Sequence, residues 1–419
     1  MQHQESRRNF LWNSVGAGLN SLHSPLFLFA VTRFLDLRAA GYFSLAYATG
    51  LMLSNIGLFG VRSYQITDIS GEHSDEVYLK ARLISTGWMM LATLAFALGR
   101  IADPTICWLL LFQGLWRVPE SMADVMHGTF QMKGRLDLAG KSLFLRGVLC
   151  SVTFLMAIMT TGNLLLASGL LAASSIAVFT FYDVRHYRQL CPESRFGFSR
   201  EAVNLLWTSM PLFLISILYA YLLNASRFAI ELFGTVEAQA AFSVAVLPSS
   251  LLWALYLLLL TPKLPRLAGL YFANDRRAFL AITLRLVGGA AALCGVLFVF
   301  LYVVGDRLLA SVFHVDPPTI RDSLLLACVA GGALCVATVF SNLLVLLREM
   351  RLLLLVYGAV AVATAILSGI LIAFGGDTGA AVAYLLTMVV LCVALAVGFM
   401  YADAKRPRDR CAISSNFRG

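Results

Sequence analysis

Charged residues are scarce in this chain. They make up 13% of 419 residues against 59% hydrophobic, and mean hydropathy is +0.79. A soluble protein of this length could not hide so much apolar side chain from water, so the sequence predicts an all-α polytopic membrane protein. No P-loop, HExxH, GxSxG or zinc motif is present, which argues against ATP hydrolysis and against an enzyme. The eight cysteines form no CxxC pair and no zinc set with histidine, so they read as buried small hydrophobes, and neither a metal nor a cofactor is expected. No loop is long enough to fold as a soluble catalytic domain.

Long apolar runs take up nearly the whole chain. About twelve have spanning length, at 10–32, 39–61, 81–99, 104–129, 142–161, 164–183, 203–226, 239–261, 279–304, 323–347, 352–374 and 378–401. The net charge of +9 is therefore first a topology signal rather than a nucleic-acid signal. With both termini inside, 23 Lys and Arg fall on the cytoplasmic side and six (Arg33, Arg38, Arg100, Arg227, Arg307 and Arg321) on the other. Polar Asn13, Asn20 and His23 interrupt what would be the apolar core of a signal peptide, so the N-terminal run reads as a retained span.

The stretch from Asp103 to Arg146 stands out. Arg117, Glu120, Asp124 and His127 fall at i, i+3, i+7 and i+10, which on a helix makes one polar stripe along an apolar cylinder. If the helix starts near Pro104, Arg117 lies about 20 Å along it, inside a hydrocarbon core of roughly 30 Å. A guanidinium there costs roughly 2.5 to 3.5 kcal/mol even on insertion scales, so it is expected to face a protein interior or a hydrated cavity. Two readings stand level: a structural Arg117–Glu120 ion pair, or a substrate or coupling site. Pro119 between them predicts a kink.

Other polar positions read more simply. Asn13, Asn20 and Ser24 share one face of the first span, either as bonds between helices or as the wall of a hydrated cavity. Arg62, Lys80 and Arg82 read as topology anchors beside a short surface helix, and Arg146 and Arg285 as snorkelling side chains. Tyr219, Tyr221, Asn224 and Arg227 come at the outer end of the seventh span, and the last three spans read as scaffold. The basic segment after the sixth span falls at mid-chain, where a linker between two lobes belongs. The expected division is 1–190, a linker at 191–202, 203–401, and a basic tail at 402–419 held near anionic lipid. A shift of 199 residues sets Phe29–Tyr47 on Phe228–Val246 with seven of nineteen positions identical, Ser44 on Ser243 among them. A repeat separated by six spans keeps its topology, which implies an axis along the membrane normal.

The N-x(6)-N of the first span, then TRFLDLRAAGYFSLAYATGLMLSNIGLFG and DVMHGTFQMKGRLDLAGKSLFLRG, resemble bacterial polysaccharide exporters. These are the O-antigen and capsule flippases of the multidrug/oligosaccharidyl-lipid/polysaccharide exporter (MOP) superfamily. The resemblance implies a MATE-like fold of two six-helix lobes around a central cavity in the bacterial inner membrane. It further implies alternating access that moves an undecaprenyl-diphosphate-linked oligosaccharide outward, with other polysaccharide assembly proteins as partners. In that setting Arg117 is the first candidate for the diphosphate and Arg227 the second, because guanidinium pairs well with phosphate oxygens. Asn13, Asn20, Gln113 and Asn224 would face the sugars. Glu120 and Asp124 would either hold Arg117 or couple H+ or Na+ to the movement. The alternatives are a cation-coupled drug or metabolite antiporter of the same superfamily, an intramembrane polysaccharide polymerase or ligase, and a scaffolding protein.

Overall fold

A computed structural model describes residues 12–16, 18–20, 23–68, 72–192, 197–313 and 317–405. The basic N-terminal start through residue 11 and the tail from 406 onward lie outside the described residues. Every regular element among those described is helical. Residues 12–16 and 18–20 are helical and precede α1 (His23–Phe34) and α2 (Leu37–Leu58). Then come α3 (Val61–Thr67), α4 (Asp75–Leu98), α5 (Pro104–Met132), α6 (Leu136–Thr161), α7 (Leu164–Val178) and α8 (Val184–Leu190). A π-helical turn, Phe179–Asp183, joins α7 to α8. The second half has α9 (Arg200–Phe233), α10 (Val236–Leu260), α11 (Leu264–Phe272), α12 (Arg276–Phe313), α13 (Pro317–Leu346) and α14 (Met350–Ala404).

Local chemistry sets these boundaries. Asp103 accepts hydrogen bonds from the backbone of Thr105 and Ile106, with Pro104 in the first turn, where its missing N–H costs nothing. Asp36 caps α2 through Ala39 N, and Thr235 caps α10 through Ala238 N. Both pairs obey the 199-residue shift. In α14 a Cβ on Gly379 would meet the Leu371 carbonyl, which on a straight helix lies about 12 Å away, so the chain folds back there. Met350–Ala373 and Thr378–Ala404 are its two arms, each apolar and long enough to cross a membrane.

Nine described helical segments meet that criterion, and the chain is a multi-pass membrane protein. α2 and α5 are not among the nine, although 22 and 29 residues give lengths of about 33 and 44 Å. Their polar residues lower the mean hydropathy, and Ser44, Tyr47, Arg117, Glu120, Asp124 and His127 among them line the cavity. Inside the first half α5 packs on α2, α4 and α7, and α6 on α7; inside the second, α13 and α14 pack on each other and on α9, α10 and α12. The two six-helix lobes meet mainly where α2 lies along α10 and α9. Gly41 permits that approach, since a Cβ there would collide with the Val236 carbonyl. Phe59 stacks on Phe213 with centroids 4.2 Å apart further along the same interface, and Ser44 and Ser243 hydrogen-bond each other through their hydroxyls.

Candidate functional site

A cavity of about 530 Å3 lies between the lobes. Four arginines line it (Arg62, Arg117, Arg146 and Arg227) against two carboxylates, Glu120 and Asp124, with His23 and His127 beside them. With neutral histidines the wall therefore carries a net charge of +2. All four members of the α5 stripe face this one space, as their spacing predicts.

Arg117 sits near the middle of α5 and is 7% exposed. Its Nη1 donates to Glu120 Oε2 at 2.6 Å, its guanidinium lies 4.0 Å over the Trp116 ring and 5.2 Å from the Tyr47 ring, and Nε and Nη2 find no acceptor among the described residues. The ion pair is thus real, yet it uses only one of the three nitrogens. Aromatic faces hold the rest of the group in place.

Asp124, about two turns further along α5, is held by two cations. Arg62 Nη1 donates to Oδ1 at 3.0 Å and Arg82 Nη2 to Oδ2 at 2.7 Å. Arg82 is fully buried and also donates to the Gly57 carbonyl at 2.8 Å. Gly57 makes this possible, because a side chain there would strike Ser121 and Met89. The expectation that Arg82 anchors topology at the surface is therefore corrected: Val61–Thr67 is the short helix expected, but it packs on α5, and Arg82 turns inward to a carboxylate.

Arg146 is likewise not a snorkelling side chain. It is 2% exposed, and Nη2 donates to Asp183 Oδ2 at 2.8 Å, while His127 Nε2 contacts Asp183 Oδ1 at 3.2 Å. The partner comes from the π-helical turn, 37 residues away, which is why spacing along α6 could not reveal it. Arg285 is exposed, in keeping with its simpler reading.

Arg227 was counted among residues beyond the seventh span, but α9 continues six residues past it and turns it into the cavity. Its Nη1 donates to Asn224 Oδ1 at 2.8 Å and its Nε to Ser243 Oγ at 3.4 Å. No carboxylate stands within ion-pair distance of it among the described residues.

Asn20 and Asn224 line the cavity, while Asn13 and Gln113 are not among its lining residues. Asn13 lies at the contact of the first span with α6, where Gly140 meets the backbone of Trp12 and Asn13. Gln113 is 1% exposed against Gly50, and neither its amide oxygen nor its nitrogen has a partner. Asn20 spends its amide on the carbonyls of Gly16 and Leu143, both at 2.9 Å, so it ties the first span to α6. Leu334 and Tyr384 reach the cavity from α13 and α14, so those helices are more than scaffold. Sequence reasoning did not single out Tyr47, Ser44, Ser243 or Asp183 as site residues. Only the serine echo carried a signal for any of them. Among the described residues no group of acidic, histidine and cysteine side chains is arranged to hold a metal ion.

No family model matches the chain, and no curated protein matches it in sequence. Solved structures do. An inward-facing multidrug resistance MATE family transporter of the MOP superfamily superposes with TM-score 0.73 at 14% identity, over 94% of this chain and 97% of the other. The chain has the MATE fold. An outward-facing MATE family transporter gives TM-score 0.63 at 15% identity, over 96% of each chain. A MOP superfamily transporter from Pyrococcus furiosus, with a binding pocket of reversed polarity that suggests a different function, gives 0.61 at 16% identity over 96% of this chain and 95% of that one. Across this MATE fold the cavity between α2, α5, α9 and α10 lies at the junction of the two lobes.

Proposed function

We propose that this protein is an exporter of the bacterial inner membrane that moves a lipid-linked oligosaccharide, carried on a polyprenyl diphosphate, outward by alternating access for surface polysaccharide biosynthesis. The observation that carries this reading is Arg227: a half-buried guanidinium, facing the cavity, with only neutral partners among the described residues. A buried cation without a counter-charge is costly, and a diphosphate supplies the missing anion together with acceptors that suit a guanidinium fork. Arg117 adds two donors that have no acceptor. Asn224, the serines and Tyr384 offer neutral groups for sugar hydroxyls.

In this reading Arg227 moves ahead of Arg117 as the principal diphosphate ligand. The two act from opposite lobes, so an anion held by both ties the lobes together. A cation-coupled antiporter shares the fold, but it needs a carboxylate free to trade between cation and substrate. Glu120 is held by Arg117, and Asp124 by Arg62 and Arg82. The test is Arg227→Ala expressed at the native level in the membrane: surface glycan is lost if the reading holds, and normal surface glycan would refute it.

A further inference from the structure

Both cavity carboxylates, Glu120 and Asp124, are paired with arginines. We infer that His127 is a proton-binding site, held by Asp183 and linked through Arg146 to the anion affinity of the cavity. The inference rests on the anionic-cargo reading and adds to it a regulated charge.

Asp183 is fully buried and does not line the cavity, whereas both of its partners do. Each carboxylate oxygen is taken, one by His127 and one by Arg146. With a neutral imidazole donating through Nε2, Arg146 and Asp183 cancel. When Nδ1 takes up a proton the trio carries +1, and no further carboxylate stands at ion-pair distance from it among the described residues. The π-helical turn brings this about, since its wider winding sets Asp183 against α5 and α6; such turns recur at functional sites.

The surroundings single out this histidine. Arg62 on α3 and Arg82 on α4 are occupied by Asp124, and Arg117 on α5 by Glu120. Tyr187 on α8 turns its hydroxyl to the Asp75 carbonyl, and Tyr47 on α2 lies by Arg117. Glu120 and Asp124 each already accept hydrogen bonds from guanidinium groups. His23 on α1, the other histidine of the wall, contacts the Gly147 carbonyl and the Phe27 ring, with no carboxylate at ion-pair distance among the described residues. Of the two histidines that line the cavity, only His127 has a carboxylate within ion-pair distance among the described residues. Its added charge must be balanced from the cavity, so proton and anion favour each other's binding by the same factor.

The experiment uses the purified full-length protein in detergent, with inorganic pyrophosphate as the probe. Histidine NMR follows His127 from pH 5 to 9, assigned by its absence in His127→Gln, with His127→Asn as the second replacement. The expected result is a titrating ring whose midpoint rises with pyrophosphate, and pyrophosphate affinity that falls on the order of tenfold as the proton leaves. Both replacements flatten that pH dependence. A ring that stays in one form, a midpoint indifferent to pyrophosphate, or an unchanged pH slope in both replacements would overturn the inference. None of these outcomes decides the cargo, which lipid extracts of a strain lacking the gene report independently.

Discussion

Ser44 and Ser243 hydrogen-bond each other, and they stand 199 residues apart, the shift at which the two halves of the sequence echo one another. Under a two-fold relation, equivalent residues meet only close to the axis. The contact therefore sets the axis of the repeat between α2 and α10. The same shift relates the two helix starts, where Asp36 and Thr235 cap α2 and α10 through Ala39 and Ala238. If the lobes rock about this seam, tying it should stop them. The double replacement Ser44→Cys with Ser243→Cys is expected to cross-link in membranes treated with copper phenanthroline, with transport lost until reductant is added. Full transport by fully cross-linked protein would rule out movement at this seam.

Arg146 and Asp183 offer a second test, now of stability. Removing one member of a buried pair leaves an uncompensated charge, so Arg146→Ala is expected to destabilise by about 3 to 5 kcal/mol. Adding Asp183→Asn should restore much of the loss, and Arg285→Ala, at an exposed position, should change little. Thermal unfolding in detergent reads all three. An Arg146→Ala protein as stable as the parent would contradict the buried pair.

The contrast between these arginines shows what the sequence disclosed. The stripe of Arg117, Glu120, Asp124 and His127 was legible because helical periodicity turns spacing into a shared face, and the structure brings all four to one cavity. The apolar runs disclosed the helical membrane fold for the same reason. Arg82 and Arg146 were misplaced because the groups that fix them lie far off in sequence, whereas Arg227, a candidate for the cavity from the start, does line it, on a helix that runs further than the apolar run suggests. Asp124 is 42 residues from Arg82, Asp183 sits on a π-helical turn, and α9 runs past Arg227 to Phe233. Asn13 and Gln113 are polar and near mid-span, yet they are absent from the cavity lining, because the face a helix turns to its neighbours is set by packing.

Asp124 carries a third prediction. Because it answers both Arg62 and fully buried Arg82, Asp124→Asn should cost about 3 kcal/mol or more. Glu120→Gln should cost less, since Arg117 keeps its contacts with Trp116 and Tyr47. Paired melting curves measure the difference, and equal losses would contradict the two-arginine clamp.

Arg227 separates stability from transport. Removing a half-buried cation with no carboxylate partner among the described residues relieves desolvation, so Arg227→Ala should fold as stably as the parent or more so while losing cargo transport. Arg227→Lys should keep only part of the activity, because an ammonium cannot reproduce the planar fork. A large fall in melting temperature for Arg227→Ala would recast the residue as structural.

The most direct measurement is made on lipid extracts from a strain that lacks this gene and has no redundant exporter. The account predicts that a diphosphate-linked oligosaccharide accumulates on the cytoplasmic face while surface glycan disappears, with the mass of the accumulated glycan naming the cargo. Unchanged surface glycan with no accumulated lipid-linked intermediate would contradict the account and turn attention to the antiporter.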